Sequence, residues 1–226
     1  MHSPWLDIPL ADYEGHMSLP TIAQAELLAV EFDNLLKEYN PSSVAVIGCA
    51  GGNGFDRISP KTTSRVVGVD INSTYIAEAS TRYASLIPNL ELYVADIQQH
   101  GLAFEPVDLI YAALVFEYVE LEATFHTLKS ICKPHGILAT VLQLPSQSVA
   151  SVSPSPFASL QALGSVMHLV PPATLRAQAA QAGFVPLASR HLALPSQKEF
   201  MVQVFGLTTA NPAVHTDLAR KAAQGR

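Results

Sequence analysis

Apolar and polar positions along the chain fall into two periods that take turns. Val44–Ile47, Val66–Asp70, Leu90–Asp96, Val107–Tyr111 and Ile137–Leu142 are short, β-branched or alternating runs of the kind that become strands. Between them lie stretches with helical spacing. In Leu19–Tyr39 the apolar residues Ile22, Ala25, Ala29, Phe32 and Leu36 recur on one face, with Ser18 and Pro20 as the start and Asn40-Pro41 as the stop. Further helices are predicted from Asn53 to Ile58, Ser73 to Leu86 and Glu117 to Cys132, the last ending at Lys133-Pro134-His135-Gly136. A helix near Phe157–Leu163 follows, and another runs from Pro171-Pro172 to Ala182 with Gly183 as its stop. Phe184–Arg190 and Glu199–Phe205 are two more strands. The connector between them, about His191 to Lys198, is too short for a crossover helix, so they pair antiparallel. Strands alternating with helices give an α/β, Rossmann-like fold: a seven-stranded, mostly parallel sheet with one antiparallel strand and helices on both faces. No internal repeat is visible.

Such sheets bind ligands at the carboxyl ends of their strands. After the first strand comes Gly48-Cys49-Ala50-Gly51-Gly52-Asn53-Gly54, a turn too tight for side chains, expected to offer unpaired N–H groups to a ligand. A glycine cluster alone is weak evidence. Asp70, at the tip of the second strand and opposite that turn, strengthens it, because a carboxylate there can accept hydrogen bonds from a ribose diol. Asp96 ends the third strand in the same way, with a surface turn as the plainer alternative, just as Asp70 could simply cap the next helix.

Composition and charge narrow the classes. Of 226 residues, 49% are hydrophobic and 14% charged, enough to fill one core and too few charges for a disordered chain. The net charge of −6 is uneven: residues 1–135 hold 7 Lys/Arg against 17 Asp/Glu, and residues 176–226 hold 6 against 2. There is no basic stripe, so nucleic acid is not an expected partner, and no apolar run is long enough to suggest a membrane span. Cys49 and Cys132 are too few for a disulfide framework or a zinc site, and the N-terminus lacks the pattern of a signal peptide. A cytoplasmic protein is expected. Cys49 reads as a small filler, His126 as a solvated helix residue, and Glu117, Glu120 and Glu122 as a charged helix start.

Strand, glycine turn, acid, second acid and terminal antiparallel hairpin together resemble the class I S-adenosylmethionine-dependent methyltransferases, over about Ser43 to Gly206. Asp12-Tyr13-Glu14-Gly15-His16-Met17 is similar to the N-terminal segment of uncharacterised bacterial members. The resemblance implies a methyltransferase using S-adenosylmethionine, with S-adenosylhomocysteine as product. It implies that Gly48, Cys49, Ala50, Gly51, Gly52 and Asn53 lie along the methionine part, and that Asp70 takes the ribose hydroxyls. Ile71 would pack on the adenine, Asp96 and Ile97 would lie at its edge, and Ala112 and Ala113 would let the sulfonium approach. Three positions depart from the pattern: Val46 where an acid is common, Ala50 at the second glycine, and His135 where glycine is common. Tyr13, Glu14 or His16 could make up for the acid.

Residues 1–42 then read as an N-terminal lid segment and helix, 43–208 as the methyltransferase domain, and 209–226 as a tail. Residues 136–175 contain no charged side chain, and their five prolines and seven serines exclude a membrane span. The part at about 145–170, with Val149, Val152, Phe157, Leu160, Leu163, Val166 and Met167, is expected to cover a small, largely apolar acceptor. Tyr13, His16, Met17, Tyr118 and His168 are candidate lid or acceptor contacts, and His16, Tyr118 and His168 are the candidate bases. Two alternatives stay open: a binding protein that keeps the cofactor without catalysis, and a nicotinamide-dependent oxidoreductase. Oligomeric state is not legible.

Overall fold

A computed structural model describes residues 3–99, 101–146 and 150–208. The expected C-terminal tail and Val149 lie outside the described residues. Seven strands form one sheet in the order β3-β2-β1-β4-β5-β7-β6. They are β1 (Ser43–Ile47), β2 (Arg65–Asp70), β3 (Leu90–Val94), β4 (Val107–Ala113), β5 (Cys132–Gln143), β6 (Phe184–Ala193) and β7 (Glu199–Leu207). Strands β1 to β5 pair parallel, and β7 runs antiparallel between β5 and β6. The order reverses beside β1, where β2 lies on one side and β4 on the other. A crevice opens at such a point because the connections leave in opposite directions.

The helices are α1 (Leu10–Ser18), α2 (Gln24–Tyr39), α3 (Ser73–Tyr83), α4 (Leu121–Ser130) and α5 (Pro172–Ala182). One apolar cluster joins Phe32, Leu35 and Ile76 of α2 and α3 to Val44, Val46, Val202 and Val204 of the sheet. The other joins Phe125, Leu128, Leu175 and Ala179 of α4 and α5 to the opposite face through Val67, Ile110 and Phe205. Burial on both faces explains why Val44–Ile47 of β1 is uniformly apolar and shows no alternation.

Four sequence expectations shift. The helix expected from Leu19 begins at Gln24, because Leu19 to Ala23 make a separate turn: the N–H groups of Ile22 and Ala23 both donate to the Leu19 carbonyl, and Ala23 is left-handed (φ 51°). Helix α1 instead occupies the preceding segment, which the sequence reading left without an element. The helix expected at Asn53–Ile58 is only a 3-10 turn, Phe55–Arg57. The helix expected from Glu117 to Cys132 breaks into a 3-10 turn at Phe116–Tyr118, an extended Val119 and α4, and Cys132 already belongs to β5. Lys133–Gly136 is therefore no helix end; it bulges from β5, with the register stepping from Val107↔Cys132 to Leu109↔Ile137. His135 is left-handed there (φ 63°), which accounts for glycine suiting that position.

Candidate active site

A cavity of about 780 Å³ opens at the carboxyl ends of β1, β2 and β4, under α1 and the uncharged stretch that follows β5. The glycine turn forms its floor. Gly52 has φ 102°, and a Cβ there would run into the Tyr83 ring, so no other residue fits. Ala50 is held left-handed (φ 46°), with its N–H donating to Asp70 Oδ2 at 2.9 Å. The N–H groups of Gly48 and Cys49 donate to the Val69 carbonyl, and those of Gly52 and Asn53 to the Cys49 carbonyl. Five of the expected row of N–H donors, those of Gly48, Cys49, Ala50, Gly52 and Asn53, are thus spent inside the protein. With no α-helix starting behind it, the turn is a poor pyrophosphate site and a shaped seat for a ligand of other charge.

Asp70 is 9% exposed and accepts from Ala50 N–H and, through Oδ1, from Asn72 N–H at 2.9 Å. It does not cap α3; Asn72 does, accepting from Thr74 N–H and Tyr75 N–H. A carboxylate has about four lone-pair sites, so two remain for a ligand. Desolvation raises the Asp70 carboxyl above the usual range, opposed by its backbone bonds. Ile71, Asp96, Ile97 and Ala113 also line the cavity, and Asp96 Oδ1 is steadied by the Gln98 backbone N–H at 3.0 Å. Cys49 and Ala112 do not line it. They are buried behind the wall, and desolvation pushes the Cys49 thiol far up, away from any nucleophilic role.

Helix α1 forms the roof. Asn53 Nδ2 donates to Tyr13 Oη at 2.8 Å, Asn72 Nδ2 to the Trp5 carbonyl at 2.9 Å, and Tyr75 Oη to the Ile8 carbonyl at 2.9 Å. Glu14 pairs with Arg82 at 2.5 Å and approaches so closely that a Cβ on Gly51 would come within 2.7 Å of its Oε1. The turn, whose strand has Val46, thus has an acid of α1 beside it, with both oxygens of Glu14 engaged by Arg82. On its other side α1 meets the cover, where Ser159 Oγ donates to Asp12 Oδ2 at 2.6 Å and Ile8 packs with Leu160 and Leu163. Trp5 sits edge-on between Tyr13 and Tyr118.

The far end of the cavity is lined by His16, Met17, Tyr118, Gln143, Val152, Leu160, Leu163, Met167 and Lys198. Phe157 and Val166 support this wall from behind. His168 is exposed and outside the cavity; only its backbone is engaged, donating to the Glu117 carbonyl at 2.8 Å. That removes it from the candidate bases. Burial raises the Tyr118 hydroxyl, so it holds its proton. Burial, aided by the Lys198 charge, lowers the His16 imidazole, which is neutral at pH 7 with an unpartnered Nδ1. Glu117, read from sequence as a solvated helix start, is 1% exposed: Oε1 accepts the Gln143 backbone N–H at 2.8 Å, Oε2 is unpartnered, and desolvation pushes the carboxyl up to about 7. The sequence held no signal for Glu117, Gln143 or Lys198, since each faces inward only because of strand ends and turns distant in the chain.

The stretch from β1 to the bulge in β5, residues 44–136, matches the protein family described as a methyltransferase domain. The stretch is similar to that family. The match covers the glycine turn and both acids, but neither the roof nor the cover. No curated protein sequence matches the chain. Among solved structures, the N-methyltransferase NodS from Bradyrhizobium japonicum WM9 in complex with S-adenosylhomocysteine is 19% identical, with a TM-score of 0.59 over 90% of this chain and 90% of that one. Magnesium protoporphyrin IX methyltransferase (ChlM) from Synechocystis PCC 6803 with bound S-adenosylhomocysteine is 13% identical, TM-score 0.60, over 80% of this chain and 81% of that one. The [4+2]-cyclase SpnF is as similar in shape, at 12% identity and TM-score 0.61 over 80% of this chain and 82% of that one. The matched stretch thus sits in a class I methyltransferase fold, and at these identities the likeness speaks for the fold alone.

Proposed function

We propose that the protein transfers a methyl group from S-adenosylmethionine to a small acceptor held under the cover. The observation that carries this reading is the continuity of one cavity from the glycine turn and Asp70 to a separate apolar end at Leu160, Leu163 and Met167. A cavity of this size lies within the range of about 300–1,000 Å³ typical of small-molecule sites. Bound there, S-adenosylmethionine would supply an electrophilic methyl group on a sulfonium. The residues present fit such a group: Asp70 has lone pairs left for a ribose, Ile71 and Ile97 offer apolar walls for a base, and Glu14 at the turn suits a cationic amino group.

The chain's own work is alignment and exclusion of water. Tyr13 and Trp5 close the roof, and Met17, Leu160 and Leu163 hold the acceptor's body. Where the acceptor atom carries a proton, neutral His16 receives it. The dinucleotide alternative loses support from the spent N–H groups of the turn and from the absence of an α-helix start behind it. Calorimetric titration with S-adenosylhomocysteine and, in parallel, NADH tests the reading. Micromolar binding of the first alone is expected; binding of NADH alone, or of neither, would overturn it.

A further inference from the structure

At the acceptor end the cavity wall contains a lysine that no carboxylate among the described residues pairs with. Lys198 stands where the chain turns from β6 into β7. Leu194 N–H donates to the Lys198 carbonyl at 2.9 Å, and Gln197 is left-handed (φ 64°), which directs the next side chain inward. The residue is 4% exposed. Its Nζ donates to Gln143 Oε1 at 3.1 Å and to the Ser151 carbonyl at 2.8 Å, both neutral acceptors. An ammonium has three N–H donors, so one is left over. Among the described residues no carboxylate forms an ion pair with it. Glu117, the buried carboxyl near this end, faces the Gln143 backbone instead and does not line the cavity.

A buried cation without a counter-charge costs several kcal/mol, and lysine is almost never fully buried unless paired. A chain whose pocket cover lies in a stretch without a charged residue, Gly136 to Leu175, nevertheless brings Lys198 to the wall of that pocket. We propose that Lys198 is the anchor for an anionic group of the acceptor: a small molecule with an apolar body against Leu160, Leu163 and Met167 and one carboxylate on the Lys198 ammonium. Ordinary packing does not explain the arrangement, since a methionine would fill the same space without the desolvation cost. Burial pushes the ammonium down only to about 8, so it is charged at pH 7 and available to an anion. The term acceptor rests on the methyl-transfer reading, whereas the anion site does not.

The test pairs small aromatic and aliphatic monocarboxylates, 4-hydroxybenzoate and hexanoate among them, each with its primary amide. Binding to the full chain is measured by calorimetry, with and without S-adenosylhomocysteine. At least one carboxylate is expected to bind tenfold or more tightly than its amide, and Lys198→Met should erase that preference while changing S-adenosylhomocysteine affinity by less than twofold. No carboxylate outbinding its amide, or a preference that survives in Lys198→Met, would overturn the proposal. The preference in the unaltered protein reads the proposal even where the variant folds poorly. Failure of S-adenosylhomocysteine to bind would count against the methyl-transfer reading and leave the carboxylate comparison standing.

Discussion

Asp70 holds the cavity floor before any ligand arrives, because its two oxygens tie the Ala50 turn to the start of α3. Its remaining lone pairs are thereby aimed, and little reorganisation is left for binding. Asp70→Ala should weaken S-adenosylhomocysteine at least tenfold, about 1.4 kcal/mol; unchanged affinity in the same titration would remove Asp70 from the site. Glu117 makes a second prediction at this scale. Its folded-state value near 7 lies above the ordinary one, so the folded protein keeps a proton that the unfolded chain gives up. The resulting loss of stability is absent below pH about 4.3, grows as pH rises, and levels off above 7, at about 3–4 kcal/mol. Glu117→Gln should therefore gain on the unaltered protein between pH 5 and pH 8 in urea unfolding. An equal difference at both values would show that the carboxyl is ionised throughout. The sequence read Glu117 as part of a charged helix start beside two further acids, whereas in the fold it is buried and accepts the Gln143 backbone N–H.

Helix α1 links the two ends of the cavity through Glu14–Arg82 and Tyr13–Asn53 on one side and Asp12–Ser159 on the other. Just before it, Ile8 packs with Leu160 and Leu163 in a cluster apart from the two that fill the sheet faces, and Tyr13 of α1 packs against that cluster. Removing residues 1–18 should accordingly leave a folded sheet, read by circular dichroism, with S-adenosylhomocysteine affinity reduced at least fivefold; equal affinity would mean that α1 is no lid. The density of aromatic and polar residues in 1–18 showed that something holds this segment. That it is a helix was hidden, because its own amphipathic pattern is weak and its order comes from contacts with Asn53, Asn72 and Tyr75. Helix α5 is the opposite case. Pro172 opens it, Gly183 closes it at φ 97°, and both signals are local.

Across the whole molecule, Phe116 stacks on Phe125 and Phe125 meets Phe184 at a tilt, with centroids 5.4 and 6.1 Å apart, and the three connect the 3-10 turn after β4, helix α4 and strand β6. Phe125→Ala should cost about 3–5 kcal/mol in denaturant unfolding, through a cavity no neighbour can fill, with an unchanged slope on denaturant. S-adenosylhomocysteine affinity should stay the same, since Phe125 does not line the cavity. A loss below 1 kcal/mol would mean that this face repacks. The sequence by itself determined the strand count, the alternation with helices, the antiparallel pair, the glycine turn and the two acids at strand ends. Periodicity, turn residues and strand tips are local properties and are written within a few residues. Only the tertiary structure decided that five of the turn's N–H groups are spent on Val69, Asp70 and Cys49, that Glu14 of α1 comes to lie beside Gly51, that His168 faces outward, and that Lys198 lies in the wall beside His16. Each of these depends on which distant segments the sheet brings together. Hydrogen-bond partners, burial and charge environment are properties of that juxtaposition, which no stretch of the chain carries alone.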